Sequence, residues 1–216
     1  MSIRYLPALL VLAAYAIAQS NAPIENDQVK VIHAHEQPHT KTKLHEHKVN
    51  RVMIYENAGK QIIADANGQQ RTLDFRAGEV KWSPMSGMHT AEIVSNGPVS
   101  IVEVELRKPG NGAWKPGALD PVKVDPKHYK VEFENDQVRV LRVKIGPHET
   151  APMHEHALNR VVAYLSDQEI RATSKDGKSE IAKHKAGDVS WGDPMTHKEE
   201  NLSDKPFEVI VAEIKQ

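Results

Sequence analysis

The chain contains no cysteine, aromatic residues make up only 5% of it, and neither sign of charge is in excess. The absence of cysteine excludes disulfides, thiolate catalysis and cysteine-ligated metals from these 216 residues. Because 28 Lys and Arg stand against 29 Asp and Glu, the composition favours neither a nucleic-acid partner nor a membrane-surface role. A long amphipathic helical pattern is also missing. Any metal would therefore need histidine, carboxylate or water as ligands.

The first residues have the pattern of an export signal. Arg4 precedes an apolar run from Tyr5 to Ile17, and the small residues Ala16 and Ala18 stand where a signal peptidase needs them. The apolar run is too short to cross a bilayer comfortably. We therefore predict a signal peptide over residues 1–18 and a periplasmic or secreted protein that has no membrane contact after cleavage.

The sequence repeats itself at a spacing of 109 residues, the distance from Ile24 to Phe133. IENDQVKV from Ile24 matches FENDQVRV from Phe133, and HEHKVNRVMIY from His45 matches HEHALNRVVAY from His154. Further matches follow in the same order, so we interpret the chain as a tandem duplication. A segment rich in proline and glycine separates the halves and is typical of a linker. The predicted first domain, linker and second domain are residues 19–108, 109–127 and 128–216.

Each half consists of short segments that favour β-strands. VRVLRVKI and FEVIVAEI, for example, are rich in Val and Ile. The pairs Asn67-Gly68 and Asp176-Gly177 fall between such segments and favour two-residue hairpin turns. Short strands at regular spacing predict an all-β chain with two small β-barrels or double-sheet jelly rolls in tandem.

Three histidines occur at matched places in each half. Two of them are separated by one residue and would share one face of a strand, because side chains alternate along a strand. The third follows about forty residues later, after a Gly-x-Val-x-Trp segment. Imidazoles that share a face could chelate one metal, although alternation alone would also allow them to face outward. The predicted ligands are His45, His47 and His89 in the first half and His154, His156 and His197 in the second.

These residues resemble the two motifs of the cupin family. The first motif runs Gly, five residues, His-x-His, three or four residues, Glu, and the second half has His148, the His154 pair and Arg160 in these places. Counterparts of the Gly, Pro and His of the second motif are Gly78, Pro84, His89, Gly187, Pro194 and His197. The resemblance implies a bicupin, with two jelly-roll barrels and a divalent metal such as Fe, Mn, Ni or Zn bound by three histidines per barrel.

Arginine replaces the metal-binding glutamate of the motif in both halves, as Arg51 and Arg160. A guanidinium at roughly 4 Å from a divalent metal would be repelled by several kcal/mol. Three interpretations stay open at this point. The histidines hold a metal while arginine binds an anionic substrate; the metal is lost and the barrel binds a small ligand; or arginine pairs with a carboxylate, for which Glu105 and Glu213 are candidates.

The first interpretation predicts a metal-dependent, oxygenase-type reaction on a small anionic organic molecule. Its substrate-binding residues would be Arg160, Arg51 and Tyr164, the last because it shares strand parity with the histidines. The alternative is a non-catalytic cupin module that binds a small ligand without metal, so an enzyme and a binding protein both remain open. The second half has an uncharged approach to its histidines and is the better candidate for a working site. By analogy with the family, a homodimer is also expected.

Overall fold

The structure is a computed structural model and describes residues 24–215. The signal peptide predicted over residues 1–18 lies outside this range. The strands form two units, which we call the first and the second unit. The first unit contains β1 (Val29–Glu36), β2 (His45–His47), β3 (Arg51–Tyr55), β4 (Gly59–Asp65), β5 (Gln70–Phe75), β6 (Glu79–Ser83), β7 (Ser86–Ile93) and β8 (Val99–Leu106). The second unit contains β9 (Tyr129–Glu134), β10 (Val138–Ile145), β11 (Thr150–His156), β12 (Arg160–Tyr164), β13 (Gln168–Ser174), β14 (Ser179–His184), β15 (Val189–Gly192), β16 (Met195–Asn201) and β17 (Phe207–Ile214).

The two units repeat one topology. In the first unit, one sheet has the order β1-β8-β3-β6 and the other has the order β2-β7-β4-β5. The second unit has the same orders in β10-β17-β12-β15 and β11-β16-β13-β14, with β9 added beside β10. Each strand of the first unit therefore has a counterpart in the second. The predicted all-β fold with two tandem jelly-roll barrels is confirmed.

A hydrophobic core between the units explains why their central strands are apolar on both faces. Val52 of β3 is fully buried and packs in one cluster with Val161 and Ile210 of the second unit. The neighbouring residues Met53 and Tyr55 point the other way, into a separate cluster inside the first barrel. Burial of one large aliphatic side chain contributes about 1.5–3 kcal/mol. The shared core therefore joins the two barrels firmly.

Repeated polar residues form matching hydrogen bonds between the units. Asn50 donates to the side-chain oxygen of Gln137 at 2.5 Å, and Asn159 donates to that of Gln28 at 2.7 Å. Each asparagine directly precedes the motif arginine, and each glutamine belongs to the repeated segment NDQV. These repeated asparagine and glutamine residues therefore form contacts between the units.

The segment predicted as the linker contains a short helix, α1 (Pro121–Val124). Asp120 caps the start of α1 and also binds the Arg139 guanidinium through both carboxylate oxygens. The Leu119 carbonyl accepts a hydrogen bond from the backbone of Glu155 at 2.8 Å, so the segment lies along the outer edge of β11. Within residues 24–215, no helix has the length and apolar character required to cross a membrane.

Two histidines adopt a left-handed backbone conformation, with φ of 58° at His39 and 55° at His148. Both occupy the place of the glycine in the first cupin motif. A left-handed conformation costs an L-residue about 1–2 kcal/mol, which accounts for the glycine at this place in the motif. His148 is exposed and its ring lies 2.7 Å from Asp204, so it belongs to a surface loop and not to the second histidine group.

Candidate metal centre

Each group of three histidines is formed by two antiparallel strands. His154 of β11 lies directly opposite His197 of β16, and His156 follows two residues later on the same face. In the first unit, His45 of β2 lies opposite His89 of β7 in the same way. One ring nitrogen from each member lies within 4.8 Å of the others in both groups, which we call the first and second triads. The structure thus brings the six predicted histidines into two arrangements that could hold a metal.

Hydrogen bonds determine which nitrogen of two rings in the second triad is free. His154 donates through Nδ1 to the Pro152 carbonyl at 2.8 Å, and His156 Nδ1 lies 2.8 Å from a carboxylate oxygen of Glu213. Because a carbonyl can only accept, Nδ1 of His154 carries a proton, and Nε2 is the nitrogen left to face a ligand. Metal-binding histidines are typically held by such carbonyl or carboxylate partners.

His197 is the third member of this triad and is 4% exposed. Neither of its ring nitrogens has a hydrogen-bond partner in the part of the chain that the structure describes. A buried polar atom left in this state costs about 1–3 kcal/mol. Burial lowers the pKa of His197 to about 4, so the ring is neutral at pH 7 and can offer a lone pair. Three buried imidazoles are a donor set that fits a divalent transition metal.

In the first triad, Arg51 occupies the nitrogen that a metal would need. Its guanidinium donates to Nε2 of His47 at 2.8 Å and forms an ion pair with Glu103 at 2.6 Å. A further hydrogen bond reaches the Ser83 hydroxyl at 3.0 Å. The pairing of arginine with a carboxylate matches the third interpretation of the sequence for this unit. The sequence analysis names Glu105 as the candidate partner, but the observed partner is Glu103.

Arg160 has a different environment in the second unit. It is 7% exposed, and its guanidinium donates to the Asp193 carbonyl at 2.5 Å. No carboxylate forms an ion pair with it among residues 24–215. Val211 is one reason, because the register places it where the first unit has Glu103. The guanidinium of Arg160 is therefore buried without a carboxylate in direct contact, although Glu199 and Glu213 lie near enough to favour its charge.

Gly192 is a second reason for this difference between the units. It lies opposite Arg160, at the place where Ser83 lies opposite Arg51 in the first unit. A Cβ atom at Gly192 would lie 2.9 Å from the guanidinium carbon of Arg160, closer than non-bonded carbons approach. The missing side chain thus leaves room for Arg160 to turn toward the Asp193 carbonyl.

Glu213, the expected partner of Arg160, supports the triad instead. One of its oxygens lies 2.8 Å from His156 Nδ1, and the other lies 3.4 Å from Arg139. Burial raises the pKa of Glu213 to about 7, although Arg139 acts in the opposite direction. Glu213 and Arg139 form a buried chain that orients the His156 ring from its Nδ1 side.

Two residues beside the second triad were not predicted. The Tyr129 hydroxyl lies 3.1 Å from His154 Nε2 and donates to Glu199 at 3.2 Å. The other oxygen of Glu199 lies 3.7 Å from His197 Nδ1. Tyr129 belongs to β9, which has no counterpart in the described part of the first unit, so comparison of the repeats could not find it. Glu199 had a signal, because it follows His197 by two residues and shares its strand face.

The architecture is similar to that of solved oxalate decarboxylase structures. An oxalate decarboxylase from Bacillus subtilis with Mn(II) centres is 15% identical, with a TM-score of 0.61 over 88% of this chain and 69% of the other. This chain has a tandem cupin fold. Two more oxalate decarboxylase structures cover the same shares at TM-scores of 0.60 and 0.61, with 16% and 14% identity. They concern an element that modulates proton-coupled electron transfer and the substrate binding mode, respectively. Comparisons with protein-family models and with curated proteins find no match.

Within the second cupin barrel, Tyr164 lies on the same face of β12 as Arg160. It is 6% exposed, and its ring stacks on His184 with centroids 3.9 Å apart. Its hydroxyl lies 3.0 Å from the Ser190 hydroxyl. Burial raises the pKa of Tyr164 to about 12, so the phenol stays protonated and can donate a hydrogen bond. The predicted substrate-binding residues of this cupin barrel thus line its interior.

Proposed function

We propose that the second unit binds a divalent metal and acts on a small organic carboxylate, whereas the first unit is structural. The observation that carries this proposal is the convergence of His154, His156 and His197, with both nitrogens of His197 left unpartnered in the described chain. In the first unit, the Arg51 guanidinium already engages His47. The similar fold of an oxalate decarboxylase with Mn(II) centres supports a divalent metal at such a site.

The environment of Arg160 supports an anionic substrate. A buried cation without a partner destabilises a protein by several kcal/mol, and a bound anion would remove that cost. Burial lowers the pKa of Arg160, although the charges of Glu199 and Glu213 act in the opposite direction. A guanidinium offers parallel N–H groups that match the two oxygens of a carboxylate. The phenol of Tyr164 on the same strand face can donate a further hydrogen bond.

The proposed reaction is of the oxygenase type, on a substrate with at least one carboxylate. When bound, the metal would supply a Lewis acid and open positions for small molecules. Arg160 would orient the substrate carboxylate, and the Tyr129 hydroxyl holds a proton beside His154. Arg160 is 7% exposed and Tyr129 is 1% exposed, so both side chains lie in the interior of the barrel. Oxalate, the substrate named for the structural neighbours, is the first compound to test.

A non-catalytic binding module is the second candidate, and the contact between Arg51 and His47 favours it for the first unit. Because the Arg51 guanidinium donates to Nε2 of His47, the first triad does not have three imidazole nitrogens free to bind a metal. Activity that requires metal and is lost only when the second triad is altered would support the enzyme. Binding of a carboxylate without turnover at any metal would favour the module for both units.

The test begins with elemental analysis of the mature protein, purified without chelator or histidine tag. We expect about one metal per chain, lost in the His154→Ala/His156→Ala variant and retained in the matched His45→Ala/His47→Ala variant. Oxygen consumption and CO2 release with oxalate and related carboxylates would follow. Absence of metal after reconstitution with Fe(II), Mn(II), Ni(II) and Zn(II), or its loss in the first-unit variant, would contradict the proposal.

Export and self-association are further proposals for this protein. N-terminal sequencing of the secreted or periplasmic form would show whether cleavage follows Ala18. Size-exclusion chromatography with light scattering would show whether the mature chain forms the homodimer expected by analogy with the family.

A further inference from the structure

Glu199 occupies an unusual place beside the second triad. It lies on β16 two residues after His197, so both side chains point into the barrel. The Glu199 side chain is only 19% exposed, and one of its oxygens lies 3.7 Å from His197 Nδ1. The intervening residue Lys198 and the following residue Glu200 face the other side of the strand. Glu199 is therefore an inward carboxylate beside His197.

Tyr129 connects Glu199 to a second member of the triad. Its hydroxyl donates to the other Glu199 oxygen at 3.2 Å and lies 3.1 Å from His154 Nε2. Tyr129 is 1% exposed, so this contact lies in the interior of the barrel. The Glu199 carboxylate is thus placed between His197 and the phenol that contacts His154.

The charge of Glu199 complements the other groups of the site. Arg160 is a buried cation in the same barrel, and a divalent metal would add positive charge. An anionic oxygen donor beside the triad reduces the repulsion that the sequence predicted between the arginine and a metal.

The first unit has no such carboxylate. His89 corresponds to His197, and the residue two positions later is Ala91, whose side chain is a methyl group. Tyr129 also has no counterpart among the described residues of the first unit. The carboxylate therefore occurs only where the triad is free of arginine. This distribution is expected of a residue that serves the metal and not the barrel.

We propose that Glu199 is the fourth protein ligand of the metal in the second unit and replaces the carboxylate that the cupin motif has in the position of Arg160. The inference rests on the proposed metal-binding function of that unit. Glu199 would hold the metal together with the three histidines, in place of its present contact with Tyr129.

The test measures the affinity of the purified protein for Mn(II) and Co(II) by competition with a chelator. Glu199→Gln should weaken binding by more than about a hundredfold, because loss of an outer-shell partner alone typically costs 10–100-fold. The matched control is Glu200→Gln on the same strand, where the side chain is 38% exposed and pairs with Arg171. We expect the control to bind metal with the affinity of the unaltered protein.

Each outcome separates this inference from the proposed function. If the unaltered protein binds no metal, the proposed function itself fails. If it binds metal and Glu199→Gln weakens binding by less than about a hundredfold, only the role of Glu199 is overturned. Should Glu199→Gln fold poorly by circular dichroism, Glu199→Asp keeps the charge on a shorter side chain. Its Co(II) absorption spectrum should then differ from that of the unaltered protein, and an identical spectrum would overturn the inference.

Discussion

Removal of the ion pair between Arg51 and Glu103 should change both the stability and the metal content of the protein. The two side chains are 7% and 14% exposed, and their charged atoms are 2.6 Å apart. Two unit charges about 3 Å apart interact by about 5 kcal/mol at an effective dielectric of about 20. Loss of one member of a buried pair typically costs about 3–5 kcal/mol, because the other charge stays buried. We expect Arg51→Met to lower the free energy of unfolding by about 3 kcal/mol.

A second substitution should recover much of this loss. Glu103→Val introduces the residue that the second unit has at this place, Val211, and removes the remaining buried charge. Replacement of a buried ion pair by apolar residues of similar volume is often close to neutral. We therefore expect a coupling energy of about 2 kcal/mol or more between the two positions.

The assay is urea denaturation of the metal-free protein, followed by circular dichroism, for both single variants and the double variant. The double variant also frees Nε2 of His47, so elemental analysis should show about two metals per chain instead of one. Ser83→Ala is a useful control, because it removes only one hydrogen bond to Arg51. It should lower the free energy of unfolding by about 1 kcal/mol and leave the metal content at one per chain.

Two results would refute the reasoning. If the effects of the Arg51 and Glu103 substitutions simply add, the two residues do not act as a pair in the folded protein. If the double variant is folded but still binds a single metal, the guanidinium of Arg51 is not what keeps a metal from the first triad.

Two further predictions concern the contact between the units. Asn159→Ala removes the hydrogen bond to Gln28 and should lower stability by about 1 kcal/mol, and a double-mutant cycle with Gln28→Ala should return a coupling of similar size. Independent effects of the two changes would argue against this contact. Ile210→Ala in the shared core should cost about 2–5 kcal/mol and shift one common unfolding transition, measured by calorimetry. The control Ile181→Ala, at a side chain 57% exposed, should have little effect, and separate transitions for the units would contradict a shared core.

The fold could be predicted from the sequence because its signals are local and occur twice. Alternation along strands, Asn-Gly and Asp-Gly turns, and a repeat of 109 residues from Ile24 to Phe133 each indicate the same architecture. The triads followed from the same alternation, since His154 and His156 share a face and His197 lies across from them. These inferences need only the geometry of a strand and its neighbour.

The different partners of Arg51 and Arg160 could not be predicted in this way. Glu103 of β8 and Val211 of β17 occupy equivalent positions, so only the first unit has a carboxylate there. Alternation could not show that these two positions face the barrel, because both faces of each strand are apolar. The cause is the core between the units, which buries the outer face of β8 and β17 as well. Glu105 was expected to pair with Arg51 because it lies directly opposite, yet the long arginine side chain reaches the diagonal neighbour Glu103.

The shared core also has a consequence for how such a protein can change. A single barrel with this apolar outer face would have to find a second molecule to cover it, and that association would weaken on dilution. Here the partner is part of the same polypeptide, so its effective concentration does not depend on how much protein is present. One barrel can therefore have the ion pair of Arg51 and Glu103 in place of a metal site and still bury the apolar outer face of the other barrel. The duplication turns an intermolecular partnership into a permanent one, in which chemistry in one barrel and support from the other can diverge independently.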